Sequence, residues 1–295
     1  MTTDISAHQA GEPGRITEFR RAGLTFPVRD AGPITGEPVL LLHGWPQDSR
    51  SWTQVADLLN QAGYRTFAPD LRGASTTAAP RWRWSYRLDA LAADVLSMID
   101  QIGRPTHLVG HDWGAVAAWT AAITGHDRVR SLSALSVPHP GAFARSMVTS
   151  RQALASWYMY FFQLPVIPEL VVRTGLFPRL LRHTGQSAEV AQRDSARVHD
   201  RVIARGGLNW YRGMLFSSSR MLRGRVTAPV LQVWSDGDTA VLAKAHTLTR
   251  RYADGPFRLE VLPGVSHWIP EEAPEPVSRL LVEHFAAGGS GARAS

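Results

Sequence analysis

The chain has 295 residues, 44% hydrophobic and 19% charged, which suits one large globular α/β domain or one such domain carrying an insertion. It has no cysteine, so disulfides, zinc-thiolate centres and iron–sulfur clusters are excluded. The formal net charge is +7, carried almost entirely by arginine, because Lys244 is the only lysine.

Residues Met1 to Arg15 lack a basic stretch followed by an apolar one, so no secretory signal is expected and the cytoplasm is the default compartment. No apolar run approaches the roughly 20 residues of a spanning helix. The best candidate, Trp157 to Ile167, is short and interrupted by Pro165. Much of the basic excess falls between Arg173 and Arg225, interleaved with Glu189, Asp194 and Asp200 at helical spacing. Charge statistics speak to solubility and association, not to fold, and the expectation is a solvated helix surface. No nucleic-acid partner is expected; the composition is compatible with weak association at a membrane surface and with a homodimer.

In chain order, residues 1–14 are expected to be flexible, as are 288–295 at the other end. A strand is predicted over Pro38 to Leu42, followed at once by His43-Gly44-Trp45-Pro46. A helix over Trp52 to Ala62 and a strand over Arg65 to Ala68 come next, then the turn Pro69-Asp70-Leu71-Arg72-Gly73. A helix over Leu88 to Gln101 leads to a strand over Thr106 to Gly110, then His111-Asp112-Trp113-Gly114 and a small-residue helix over Ala115 to Thr124. After a strand over Leu132 to Val137 the alternation breaks down, and a long Arg- and aromatic-rich stretch intervenes before strands over Val230 to Trp234 and Arg258 to Leu262 and helices over Lys244 to Tyr252 and Pro276 to Phe285.

Recurring apolar β-branched runs with helices between them predict a mostly parallel sheet covered on both faces, an α/β class. The interruption is too long for a structureless loop, so residues 140–226 are predicted to form a helical cap inserted between core segments 15–139 and 227–287. Such an insertion lies over the C-terminal edge of the sheet, where open α/β folds bind ligands.

Four chemical pieces follow one another in hydrolase order. Gly110-His111-Asp112-Trp113-Gly114 is a Gly-x-Ser-x-Gly elbow with aspartate at the nucleophile position. A carboxylate nucleophile suits attack on saturated carbon, because the alkyl ester it forms is then hydrolysed by water. That points to epoxides or alkyl halides and requires no metal or organic cofactor. His267, in the loop after the last strand, is the candidate base; His139 follows a strand, whereas His246 and His284 lie in helices where a surface role is expected. The orienting acid is Asp238, with Asp236 in reserve, since the segment after the preceding strand, Ser136-Val137-Pro138, has no carboxylate. The backbone amides of Trp45 and Trp113 are the candidate oxyanion donors, and Pro46 is a candidate for a cis bond.

Together these residues resemble the α/β-hydrolase superfamily and, within it, the epoxide hydrolases, over about Glu18 to Phe285. The resemblance implies two cap tyrosines that hydrogen-bond the epoxide oxygen. Ser156 to Pro165 resembles the first segment and Leu208 to Arg212 the second, which selects Tyr158 and Tyr211, with Tyr160 a neighbouring alternative. His43, Pro46, Phe161, Trp210 and Trp268 are expected to line an apolar substrate pocket. A haloalkane dehalogenase is the alternative enzyme, although that family usually shows Asn where this chain has Trp45. A ligand-binding protein on a hydrolase scaffold is the alternative outside catalysis.

Overall fold

The computed structural model describes residues 14–290, the side chains of 288–290 aside. Eight strands form one sheet in the order β1-β2-β4-β3-β5-β6-β7-β8. These are β1 (Glu18–Arg21), β2 (Leu24–Ala31), β3 (Glu37–Leu42), β4 (Tyr64–Pro69), β5 (Thr106–His111), β6 (Val129–Leu135), β7 (Val230–Ser235) and β8 (Phe257–Leu262). β1 and β2 form an antiparallel hairpin and β2 also runs antiparallel to β4, whereas all pairings from β4 through β8 are parallel.

The parallel strands are apolar because both faces are covered. Along β3, Val39 and Leu41 pack on one side with Trp52, Leu59 and Phe285, and Leu40 and Leu42 on the other with Leu108 and Trp119. On the first side lie α1 (Thr53–Gln61) and the terminal helix, which runs from Pro274 to Ser290; the other side is covered by α2 (Leu88–Ile102) and α3 (Trp113–Thr124). α3 is buried nearly all round, as its Ala-rich sequence allows.

The β1–β2 hairpin does not follow from the apolar pattern. Phe19, Phe26 and the Arg65-paired Asp30 are its buried residues, and the remainder is half-buried or exposed, as expected of a sheet edge. Of the ends expected to be flexible, residues 1–13 and 291–295 lie outside the described residues. Gly14 accepts a hydrogen bond from Arg65 through its carbonyl at 2.7 Å, and 288–290 continue the last helix.

Between β6 and β7 lie eight α-helices, one 3-10 turn (Met214–Phe216) and no strand. In order they are α4 (Pro140–Thr149), α5 (Gln152–Ala155), α6 (Trp157–Phe161), α7 (Ile167–Val171), α8 (Phe177–His183), α9 (Ala188–Arg197), α10 (Arg201–Gly213) and α11 (Arg220–Arg223). After β7 come α12 (Ala243–Thr249) and α13 (Ile269–Glu272), then the terminal helix as α14. Among the described residues no helix is long and apolar enough to cross a membrane.

Register decides what the sheet brings together. Leu42 pairs with Gly110, His111 with Leu135, Leu135 with Val233, and Ser235 with Leu262. The loops that leave these strand ends therefore emerge side by side at one edge.

Candidate active site

The turn from β5 into α3 is unusually tight. Asp112 sits between them at φ 51°, ψ −121°, a left-handed conformation costly for a residue with a Cβ. The flanking glycines make room for it. A methyl group at Gly110 would come within 2.3 Å of the Gly114 carbonyl oxygen, and one at Gly114 within 2.0 Å of the Leu42 carbonyl oxygen. The carbonyl of Asp112 accepts from the amides of Ala115 and Val116, at 2.9 and 3.2 Å, so the first turn of α3 fixes its backbone.

The carboxylate projects from this elbow toward the neighbouring loops, its side chain 15% exposed. Its Oδ1 accepts from the Trp45 amide at 2.8 Å, and its Oδ2 lies 3.6 Å from His267 Nε2. The Trp113 amide belongs to the first turn of α3, where helix N–H groups have no intrahelical acceptor. On the other side of the imidazole, His267 Nδ1 donates to Asp238 Oδ2 at 2.7 Å. Asp238 is itself held by the amides of Ala240 and Val241, at 2.7 and 3.0 Å on Oδ1. Asp236 does different work: it is exposed and accepts from the Gly264 amide at 2.6 Å.

Burial and charge oppose one another here. Burial disfavours the imidazolium of His267, but Asp238 and Asp112 on either side outweigh it and push its pKa up to about 10. Burial likewise disfavours the two carboxylates, yet His267 holds both below their ordinary range, helped by the Trp45 amide for Asp112 and the Val241 and Ala240 amides for Asp238. The resting centre is thus a carboxylate–imidazolium–carboxylate array.

A second layer positions His267, and the sequence reading did not find it. The His267 carbonyl accepts from Ser136 Oγ at 2.7 Å and from His111 Nε2 at 2.9 Å. His111 Nδ1 faces the Gln47 amide at 3.1 Å, and Gln47 reaches Glu271 Oε2 at 2.6 Å. Glu271 in turn pairs with Arg193 of α9 at 2.7 Å. Burial lowers the His111 pKa to about 4, so the ring is neutral, and its Nε2–H faces the His267 carbonyl. The Gln47 amide presents its oxygen to His111 and its NH₂ to Glu271, whose pKa burial raises against the opposing pull of Arg193. The available signal was a histidine inside β5, a strand buried at every position.

Aromatic side chains from the helical segment close over the carboxylate. Tyr211 is buried on α10, edge-on to Trp113 at 4.9 Å and to Trp45 at 5.8 Å between ring centroids. Tyr158 on α6 lies 6.1 Å from Tyr211, whereas Tyr160 is 58% exposed and points away. Burial, then the Asp112 charge, raises the pKa of both Tyr158 and Tyr211 well above the ordinary phenol value, so both stay protonated. Phe162 packs on Trp45 and Tyr211, at 5.3 and 4.9 Å, while Phe161 is half-buried beside it.

Two residues expected in the pocket wall have another role. His43 is completely buried; its Nε2 accepts from the Leu71 amide at 3.0 Å and its Nδ1 donates to the Gly44 carbonyl at 2.8 Å. It ties the 43–46 loop to the 69–73 turn. Trp210 is buried behind Trp113 and donates to the Arg72 carbonyl at 2.5 Å. Trp268 stands perpendicular to His267 at 5.4 Å, its indole N–H on Thr184 Oγ1 at 3.1 Å. Pro46 is buried after a cis bond, and its carbonyl accepts from Arg197 at 3.1 Å. His246 and His284, expected on the surface, are both buried, because the inner faces of α12 and α14 carry them; His246 lies against Trp234 at 5.2 Å. His139 is buried against Tyr252 at 4.1 Å.

Residues 37–274 match the family model described as the alpha/beta hydrolase fold. The chain is 33% identical over 279 residues to Epoxide hydrolase 4 of Homo sapiens, covering 89% of this chain and 76% of that one. It is 31% identical over 290 residues to Epoxide hydrolase 3 of Xenopus tropicalis, covering 94% and 78%. Among solved structures, Epoxide Hydrolase A from Mycobacterium thermoresistibile superposes with a TM-score of 0.78 at 26% identity, over 92% of this chain and 97% of that one.

Proposed function

The chain belongs to the epoxide hydrolases of the α/β-hydrolase fold, and from that membership we propose that it converts an epoxide and water to a vicinal diol through a hydroxyalkyl ester on Asp112. The observation that carries the reading is the division of labour between the two Asp112 oxygens: Oδ1 is held by the Trp45 amide at 2.8 Å, and Oδ2 faces His267.

Oδ2 attacks a ring carbon and the C–O bond of the epoxide breaks. The ring oxygen leaves as an alkoxide, which Tyr158 and Tyr211 receive as hydrogen-bond donors, a task for phenols that remain protonated. One proton is needed to complete the alcohol. The His267 imidazolium can supply it, because esterification removes the negative charge of Asp112 that helped to hold that proton. Neutral His267, oriented by Asp238, then takes a proton from water as the water oxygen attacks Cγ of the ester. The amides of Trp45 and Trp113 stabilise the tetrahedral oxyanion. Its collapse releases the diol and returns Asp112 as carboxylate beside imidazolium, so protons balance over the cycle.

The apolar surroundings formed by Trp45, Phe162 and Phe177 suit a hydrophobic epoxide. The test is one turnover of excess enzyme with aryl and long-chain epoxides in ¹⁸O-labelled water. First-turnover diol without label indicates attack by an enzyme carboxylate, whereas labelled diol indicates direct attack by water. Halide release from alkyl halides without any diol from epoxides would transfer the same nucleophile to the dehalogenase reading.

A further inference from the structure

The segment from Gln152 to Val171, made of α5, α6, a turn and α7, has two unlike sides. The α5–α6 junction is continuous, with the Ser156 amide donating to Gln152 at 2.8 Å and the Phe162 amide to Tyr158 at 2.9 Å. One face carries Tyr158 and Phe162 toward Trp45 and Tyr211. Outside it, Leu154 and the Trp157 and Tyr160 side chains of the first two helices, Leu164 of the turn that follows, and Ile167 and Leu170 of α7 are all exposed, Leu154 by 74% and Trp157 by 63%. So many large apolar side chains facing water within twenty residues mark a surface that meets something else.

The charge around these side chains selects the partner. Residues 140–183 hold five arginines, at 145, 151, 173, 179 and 182, and one acid, Glu169, which is already engaged by Arg212 at 2.5 Å. Arg179 and Arg182 line a surface cleft of about 490 Å³ on α8, where Leu176 and Leu180 are also exposed. The same chemistry continues across the neighbouring surface. Arg212 is itself buried, its guanidinium on the carbonyls of Phe162 and Leu164 at 2.8 and 2.6 Å, and its helix leads into exposed Leu215 and Phe216. Arg83 lies 5.5 Å over the Phe216 ring, beside Trp82 and Trp84, which stack at 4.8 Å and are open to solvent. Two copies pressed together through this face would oppose arginine with arginine. An anionic lipid surface satisfies both features: it takes the apolar side chains, pairs with the guanidinium groups, and accepts Trp and Tyr at the level where one end of the ring is wet.

We propose that the outer face of the 148–180 segment docks on anionic lipid bilayers. Tyr158 then stands on the opposite side of the docked helices, so an apolar substrate leaving the bilayer has a short way to Asp112. Docking itself does not depend on which reaction occurs there.

Co-sedimentation with vesicles equimolar in phosphatidylglycerol and phosphatidylcholine tests this. Binding should weaken at least about tenfold with pure phosphatidylcholine vesicles or at high salt. The pair Leu154→Glu/Ile167→Glu and the pair Arg151→Glu/Arg179→Glu should each bind at least about tenfold more weakly while keeping the wild-type thermal midpoint, since all four residues are exposed. Wild-type protein that stays in the supernatant with anionic vesicles overturns the proposal. So does a Leu154→Glu/Ile167→Glu protein that binds as wild type. A wild-type dimer by light scattering that this pair converts to monomer overturns it in favour of contact between copies.

Discussion

The sheet edge and the helical segment above it are built on opposite principles. At the edge, position is set by backbone: Asp112 is held in a left-handed conformation, glycines are packed so closely that a methyl group has no room, and its carboxylate is fixed by a main-chain amide. In the helices of 140–223, position is set by side chains: aromatic rings meet edge to face, and arginines reach down to the core. Backbone geometry suits chemistry that tolerates little displacement. Side-chain packing suits substrate choice, because it can change without disturbing the elbow.

The sharpest test of that contrast is Asp112→Ala, which should lower diol formation by at least about 10⁴-fold while leaving the fold intact. Near wild-type turnover in the purified variant would end the reading of the edge as the reacting centre. His267→Gln should lower turnover by about 10³-fold or more, but by blocking the second step only. Intact-mass spectrometry after epoxide treatment should show the accumulated ester, and an unmodified chain would contradict the assignment. From the helical side, Tyr211→Phe should slow alkylation roughly 10²-fold, followed by single-turnover kinetics, with no trapped ester. If it slowed ester hydrolysis instead, the two regions would not divide the work as argued.

Arg197→Met probes how the regions are joined. Arg197 of α9 pairs with Asp48 at 2.8 Å and donates to the carbonyls of Pro46, Gln47 and Ala74, next to the loop that supplies the Trp45 amide. Breaking this largely buried pair should cost about 3 kcal/mol, read by denaturant unfolding, and kcat should fall with it. A loss of stability without loss of kcat would show that the edge keeps its geometry unaided.

Stability against pH probes the edge alone. The His267 pKa is about 10 in the folded protein and 6.5 ordinarily, so its contribution is complete below about pH 6.5 and is lost as pH rises through 10. The thermal midpoint should therefore decline between pH 8 and pH 10.5 more steeply in wild type than in His267→Gln. Parallel declines would mean that the imidazolium is not held as described.

Local sequence was informative wherever local sterics dictate the answer. Gly-x-Asp-x-Gly between an apolar run and an Ala-rich stretch implies a tight strand-to-helix turn, and β5, the turn and α3 are found there. Strands β3 to β7 were readable for a similar reason, since strands buried on both faces are largely apolar, whereas β8 is half-buried or exposed along its length. The edge hairpin of β1 and β2 was not, because one solvated face and Pro27 hide its pattern.

Sequence by itself determined the α/β class, the elbow with its carboxylate, and a histidine loop after the last strand. Tertiary structure alone decided among residues that are equivalent locally. Asp236 and Asp238 flank the same glycine, yet only Asp238 meets His267, because the β7–β8 register brings their following loops together. Tyr158 and Tyr160 are two apart on one helix, and the packing of α6 turns the first inward and the second to solvent. His43 and Trp210 read as pocket residues until their hydrogen bonds showed them bracing the loops from behind. The line from Arg193 through Glu271, Gln47 and His111 to the His267 carbonyl joins residues up to 224 positions apart, a separation that no local pattern encodes.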